Sequence, residues 1–394
     1  MENIANTAAA FRLTSEQLQD ISQAMCRKIK EGLDEDGGEI KAIPAYLQQP
    51  AQGLKGRVLI VDIGGTNVRA AIVELFPDGT CEVKAGPLKD HIPSGRQGKP
   101  FSSQEFFAFQ AKLALQLNPE PNLPVGYCFS YPAQSTPDSD ASLIHWTKDI
   151  HVTNVEGRPV GKLLGEAFAD LGYQTGKITV LNDTVAALLA GAGAHAQEFD
   201  KFIGLIAGTG TNMAGFVKVS PCNKLGALPW NKSTMAVNLE SGNFTPPYLN
   251  AYDDLMDSQM DMPGRQRFEK ALSGYYLPFL YAQACPEDKS FDPYEGSSVL
   301  TAKRDEENDE IAEAILTRSA DLIAAGLAGF IKALGNEGHF CIAAEGSRYW
   351  ADPLLAPYVQ ELLPKLVGPQ VTFKIIKVDN ANLLGAAYAA LSHN

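Results

Sequence analysis

Apolar residues along this chain fall into short continuous runs separated by longer stretches at helical spacing. Leu18, Ile21, Met25 and Ile29 recur at helical spacing behind Thr14-Ser15-Glu16-Gln17, a capping-box sequence, and predict one helix to about Gly32. Met1 to Phe11 is small and polar and predicts a loose start. Gly37 to Gly56, with Pro44 and Pro50, reads as a connector. Val58 to Val61, with Ile63 after Asp62, predicts a buried strand. It ends in Gly64-Gly65-Thr66-Asn67, and Val68 to Leu75 follows at once, the spacing of a hairpin. With Thr80 to Ala85 these strands form a meander. Ser102-Ser103-Gln104-Glu105 then opens a helix to about Leu117. A strand (Val125–Ser130), a helix (Val160–Leu171), a strand (Ile178–Leu181) and a helix (Thr184–Ala192) come next.

The second half repeats this order. Strands are predicted near Phe202, Phe216 and Val237, and helices over Arg265–Ala284 and Glu306–Leu334. A strand (Phe340–Ala344), a helix (Pro353–Leu366), a strand (Val371–Val378) and a helix (Leu383–Leu391) close the chain. Asp288 to Asp309 is polar and reads as a surface excursion. The fold class is therefore α/β: βββαβαβα twice, in two lobes with a cleft between them.

Composition narrows the function. The 394 residues suffice for two or three domains. A hydrophobic share of 45% and a charged share of 20% are ordinary for a soluble globular protein. A net charge of −13, with no Lys/Arg cluster, speaks against nucleic acid as a partner. The six cysteines are scattered without a CxxC pair, as expected of free thiols in a reducing compartment, and the six histidines show no metal spacing. No signal peptide opens the chain and no apolar run is read as spanning a bilayer, so a cytoplasmic protein without a membrane partner is expected.

Chemistry concentrates at strand ends. Gly64 and Gly65 allow positive φ and close backbone approach, and a concave set of N–H groups suits phosphate oxygens. Asp62 is placed to hold a hydrated Mg²⁺ through water. The competing reading is an ordinary hairpin turn beside an incidental Asp. A second copy weighs against it: Phe202 to Ala207 runs into Gly208-Thr209-Gly210-Thr211-Asn212, and Met213 to Val219 returns. Between the turns, Ser130 closes a strand, Thr147 and Lys148 stand beside Trp146, and Asn182-Asp183 closes another strand before a helix. Asp183 is equally readable as the N-cap of that helix. His145 and His151 are read as structural.

In order, the chain carries Val61-Asp-Ile-Gly-Gly-Thr-Asn-Val-Arg69, Phe129-Ser-Tyr-Pro-Ala133, His145-Trp-Thr-Lys148 and Leu181-Asn-Asp-Thr-Val185. Gly208-Thr-Gly-Thr-Asn212, Asn238-Leu-Glu-Ser-Gly-Asn-Phe244 and Ala344-Glu-Gly-Ser-Arg-Tyr349 follow. This series resembles that of eukaryotic-type hexokinases, over nearly the whole chain. The resemblance implies an actin-like ATPase (ribonuclease H-like) fold and transfer of phosphate from ATP, with Mg²⁺, to the 6-hydroxyl of glucose or a related hexose. It implies Asp183 as the base. Ser130, Tyr131, Thr147, Lys148, Asn182, Asn212 and Glu240 would hold the sugar. Asp62, Ile63, Gly64, Gly65, Thr66, Asn67, Gly208 and Thr209 would hold the phosphates, with no direct metal ligand. Gly346, Ser347, Arg348 and Tyr349 would line the adenosine.

Two departures stand out. The family's Glu after the Ser-Gly-Tyr-Tyr-like segment, a sugar contact, is here Phe279 behind Pro278. The family's glycine-rich adenosine run is here Asp379-Asn-Ala-Asn-Leu-Leu-Gly-Ala-Ala387. The lobes implied are 57–190 with 383–394, and 12–56 with 191–382. The rival readings are a catalytically weak sugar sensor and an actin-like ATPase with a protein partner. The second has no need of Ser130, Thr147, Lys148 and Glu240.

Overall fold

The structure is a computed structural model and describes residues 2–92, 101–146, 150 and 152–392. The first half consists of α1 (Glu2–Ala9), α2 (Ser15–Asp34), β1 (Ile43–Pro44), β2 (Gly56–Ile63), β3 (Asn67–Leu75), β4 (Cys81–His91), β5 (Phe101–Ser102), α3 (Ser103–Leu115), β6 (Val125–Phe129), β7 (Ala133–Ser135), β8 (Ala141–Leu143), β9 (Val152–Thr153), α4 (Val160–Asp170), β10 (Ile178–Leu181) and α5 (Asp183–Ala194). The second consists of β11 (Lys201–Ala207), β12 (Thr211–Lys218), α6 (Asn223–Gly226), β13 (Thr234–Asn238), α7 (Ala251–Gln259), α8 (Arg267–Leu272), α9 (Leu277–Ala284), α10 (Ser297–Glu307), α11 (Glu310–Ala333), β14 (Gly338–Glu345), α12 (Ser347–Ala351), α13 (Leu355–Leu366), β15 (Val371–Ile376) and α14 (Ala381–Leu391).

Two principal sheets share one topology. The five-stranded sheet runs β10-β6-β2-β3-β4, with β2, β3 and β4 antiparallel neighbours and β6 and β10 added in parallel. In the other, β15-β14-β11-β12-β13 repeats that order and pairing, and β1 extends the β13 edge. The expected duplication is thus present strand for strand. The sheets exchange their closing helices. α5 follows β10 yet packs on β11 and β14, whereas α14 follows β15 yet packs on β2 and β6, and the two helices pack on each other. Their apolar faces form a core between the sheets, from Val185 and Leu188 to Leu383 and Ala387. Strand ends from both sheets that carry candidate site residues therefore face one hollow between the halves.

Local signals hold where side chains cap helices. Thr14 with Gln17, and Ser102 with Glu105, form complete capping boxes at α2 and α3. Elsewhere tertiary contacts override the sequence pattern. The chain start is helical, and Phe11 is fully buried, stacked on Tyr252 with the Arg318 guanidinium over its ring at 4.8 Å. The single helix expected over 265–284 is two, α8 and α9. They are parted where Gly274 N–H donates to Gly208 O (2.8 Å) and Tyr275 N–H to Thr209 O (3.3 Å). The helix expected from Glu306 starts at Glu310, capped by Asp309 on the Ile311 and Ala312 N–H groups, both at 2.9 Å. The expected excursion over 288–309 contains α10. α11 bears on the expectation about apolar runs. Its length and composition would allow it to cross a bilayer, but it lies almost wholly buried in the core beneath the six-stranded sheet.

Candidate active site

The first turn closes where Gly64 N–H donates to Asn67 O at 2.9 Å. Gly64 lies outside the left-handed region, contrary to the expected positive φ; a Cβ there would meet only Asn67 O, at 3.8 Å. Packing leaves this backbone open to a ligand. Thr66 is exposed, and Tyr131 supports the turn from below, its buried hydroxyl donating to Gly64 O at 2.7 Å. Burial raises the Tyr131 phenol well above its usual range. Its hydroxyl is thus anchored to the phosphate turn, where the resemblance implied a sugar contact.

At the second turn, Gly208 N–H donates to Gly210 O at 2.9 Å and Thr209 is exposed. Gly346 joins it with φ +117°, and a Cβ there would stand 2.4 Å from Ala207 backbone. Only glycine suits both the dihedral and the approach. Ser347 is exposed beside this contact. Arg348 and Tyr349, expected along the adenosine, are buried. Arg348 donates to Asp352 at 2.7 Å, and Tyr349 lies in the core.

Asp62 at the end of β2 is 4% exposed. Arg69 Nε donates to Asp62 Oδ2 at 2.8 Å, Arg69 Nη2 adds a second bond to the same oxygen, and Asn382 Nδ2 approaches Oδ1 at 3.4 Å. The Asn382 contact comes from the segment that departs from the family pattern. No group of three or more His, Cys, Asp or Glu side chains able to hold a metal occurs among the described residues. One carboxylate with a loosely held oxygen, beside a turn whose backbone is open to a ligand, fits Mg²⁺ held through water and phosphate oxygens.

The proposed base stands on the next strand end. Asn182 is the N-cap of α5, its Oδ1 accepting from Thr184 N–H at 2.9 Å. Asp183 is half-buried at the first helical position and accepts from the Thr184 hydroxyl at 3.2 Å. The carboxylate is free of capping duty, which removes the competing reading for that residue. Burial, then the charges of Asp62 and Asp183, push the Cys128 thiol well up, so both carboxylates flank one strand end. Ser130 is buried there, its N–H donating to Ile63 O at 3.1 Å.

From the other sheet, Asn212 and Glu240 are linked by Asn238, which sequence reasoning missed. Asn212 Nδ2 donates to Asn238 Oδ1 (2.7 Å), and Asn238 Nδ2 donates to Glu240 Oε1 (2.8 Å). Asn212 Oδ1 accepts from the Met213 and Ser241 N–H groups. Glu240 is left-handed at φ 53°, a strained position for a non-glycine residue and one that clusters at functional sites. Tyr131, Asn182 and Asn238 line one small hollow between the lobes, so the polar groups of the two halves converge. Glu269 was also missed. Its Oε2 accepts from Thr211 N–H at 2.8 Å and fills the space a Gly210 side chain would need. The Asn two residues before Glu240 and the Glu beside Phe268 were the available signals. Thr147, Lys148 and His151 lie outside the described residues.

Phe279 is buried in a cluster with Phe11 and Met256, its ring against Tyr275 (5.4 Å) and Tyr294 (5.1 Å). The side chain replacing the family's carboxylate is held by aromatic packing.

A strand-end site shared by duplicated lobes, with two glycine turns facing a polar set, is the architecture of the sugar kinases built on the actin-like ATPase fold. The chain belongs to the hexokinase family. Two family models, both described as Hexokinase, match residues 3–193, and 202–285 with 296–392. A hexokinase of Kluyveromyces lactis is 32% identical over 295 residues, covering 70% of this chain and 59% of that protein, so the match spans about three fifths of the relative's length. Hexokinase-2 of Saccharomyces cerevisiae is 27% identical over 99% of this chain and 92% of its own length. Among solved structures, the hexokinase from Schistosoma mansoni complexed with glucose superposes with a TM-score of 0.83 at 24% identity, covering 99% of this chain and 98% of its own, a likeness of fold.

Proposed function

We propose that this protein transfers the γ-phosphoryl group of ATP to the 6-hydroxyl of glucose or a related hexose. The observation that carries the reading is the pairing of an uncommitted Asp183 with Asn182 as cap, opposite the Asn212–Asn238–Glu240 chain and beside both glycine turns. Asp183 would take the hydroxyl proton as the oxygen attacks phosphorus. Asn182, Ser130 and Glu240 would orient the hexose, with Asn212 and Asn238 holding Glu240 in place. The Gly64–Asn67 and Gly208–Thr209 backbones would take the phosphate oxygens, and Thr209 would add a hydroxyl. Mg²⁺ arriving with ATP would supply charge neutralisation, held through water by Asp62. Closure of lobe 57–190 with 383–394 onto lobe 12–56 with 191–382 would exclude water and complete the site. Six unpaired cysteines support a reducing, cytoplasmic setting for this chemistry. A coupled ADP-release assay, with and without hexose, tests the reading: ADP formation that depends on sugar supports it, and sugar-independent hydrolysis contradicts it.

A further inference from the structure

Arg69, on β3, uses Nε and Nη2 on Asp62, and its Nη1 has no acceptor among the described residues. Glu345 ends β14 in the other sheet, in register with Ile206 and one residue before Gly346. Gly346 Cα lies 3.2 Å from where a Gly208 Cβ would stand, so Glu345 is next to the contact between the two large-lobe turns. Glu345 Oε1 is buried with no hydrogen-bond partner. Such an orphan oxygen is costly and calls for an explanation. Burial pushes this carboxyl up to about 7; the Lys377 and Arg69 charges oppose the rise and Asp379 adds to it. Arg69 in turn feels the Glu345 charge. A half-used guanidinium on one sheet and an unpaired carboxyl oxygen on the other therefore lie within range of each other's charge.

We propose that Glu345 is a second seat for the Arg69 guanidinium: when Mg²⁺-nucleotide occupies the Asp62–Asn67 turn, Arg69 passes from Asp62 to Glu345 and ties β3 to β14 across the cleft. The proposal rests on the phosphate reading of the turns. Its driving force is repulsion. A guanidinium bonded to Asp62 and a hydrated Mg²⁺ beside the same carboxylate are like charges at close range in a partly buried site. Transfer relieves that repulsion, frees Asp62 for metal-bound water, and gives the buried Glu345 oxygen its missing donor. Glu345 is thus a positioning residue, acting on the metal site through Arg69.

The test is calorimetric binding of ADP, with and without Mg²⁺, to wild type, Glu345→Gln and Glu345→Asp. Wild type is expected to bind ADP more tightly with Mg²⁺. Glu345→Gln should bind metal-free ADP and hexose as wild type does but lose roughly 10-fold of the Mg²⁺ enhancement, the scale of one charge-assisted hydrogen bond. Glu345→Asp, which keeps the charge and shortens the reach, should recover part of it. In an Arg69→Met background, Glu345→Gln should have no further effect on the enhancement. An unchanged Mg²⁺ enhancement in Glu345→Gln overturns the proposal, as does an equal loss with and without Mg²⁺, which marks a structural role. Should Glu345→Gln fail to fold, a Glu345→Asp change that lowers the Mg²⁺ enhancement equally in the wild-type and Arg69→Met backgrounds overturns it too, because Glu345 then does not act through Arg69. Wild type that binds no nucleotide at all brings down the phosphate reading itself.

Discussion

Asn182 caps α5 through Thr184 N–H at 2.9 Å, and in doing so leaves its neighbour Asp183 without a capping role. The two residues should therefore separate by mutation. Asp183→Asn is expected to lower kcat by about 10²- to 10⁴-fold, the scale of a lost general base, with hexose still bound and the melting temperature little changed. Asn182→Ala is expected to cost about 1 kcal/mol of stability as a lost cap. Steady-state kinetics beside thermal unfolding checks both. Near-normal turnover in Asp183→Asn would remove it from the mechanism.

The two glycines of the nucleotide end should also part company. Gly346→Ala places a Cβ against Ala207 backbone at positive φ and is expected to destabilise the fold by more than about 1 kcal/mol. Gly64→Ala makes only an ordinary contact with Asn67 O, at 3.8 Å, so the protein should fold normally and lose nucleotide affinity. Chemical denaturation and ADP calorimetry distinguish them; an equal stability loss in both would place Gly64 among the packing glycines.

Phe279 changes what the sequence led one to expect. With a charged acceptor absent at this position, glucose KM should be high and epimer discrimination relaxed, by roughly 10- to 150-fold in affinity for one lost charged contact. Restoring the family's Glu by Phe279→Glu suggests itself as a way to tighten sugar binding. The ring's burial among Tyr275 and Tyr294 reverses that expectation. A carboxylate there would be desolvated, so Phe279→Glu should lower stability without sharpening selection. A panel of hexoses on wild type and variant, with melting curves, checks this; tight glucose binding with rejection of epimers by wild type would show another group in the role.

Asp321 supplies a pH dependence of stability. It lies 4% exposed in α11, and burial pushes its carboxyl from 3.8 up to about 6 despite a 2.8 Å bond from the Tyr358 hydroxyl. The folded state binds the proton more tightly than the unfolded chain. Its contribution is therefore full below about pH 4 and is lost as pH rises through about 6. Asp321→Asn stays neutral throughout. Relative to wild type it should gain stability between pH 4 and pH 8, by about 2–3 kcal/mol at most. Urea unfolding across that range measures it; a difference that does not change with pH would contradict the assignment.

Where sequence reasoning succeeded, the determinants were local or duplicated. Thr14 and Ser102 announce their helices because capping needs only residues three positions apart. The Asp62 and Thr209 turns announce themselves because the same strand–turn–strand unit occurs twice. It failed where distant backbone decides the outcome. Phe11 draws the chain start onto Tyr252 and Arg318, and nothing local marks it. Ser273–Tyr276 breaks a helix because Gly274 and Tyr275 donate to the Gly208 and Thr209 carbonyls. Asn238 and Glu269 were passed over because their partners, Asn212, Glu240 and the Thr211 N–H, lie across the strand ladder or on another element. Tyr349 was placed on the cleft through the motif alone, though its side chain turns inward.

The most direct test of the account is the stoichiometry and identity of the product. Purified protein incubated with glucose and Mg²⁺-ATP, followed by phosphorus NMR, should form ADP and a hexose 6-phosphate in equal amounts, and ATP should persist when sugar is omitted. Inorganic phosphate released at the same rate with and without glucose, or ATP left intact in both, would contradict the assignment of Asp183 and the two glycine turns to a sugar kinase.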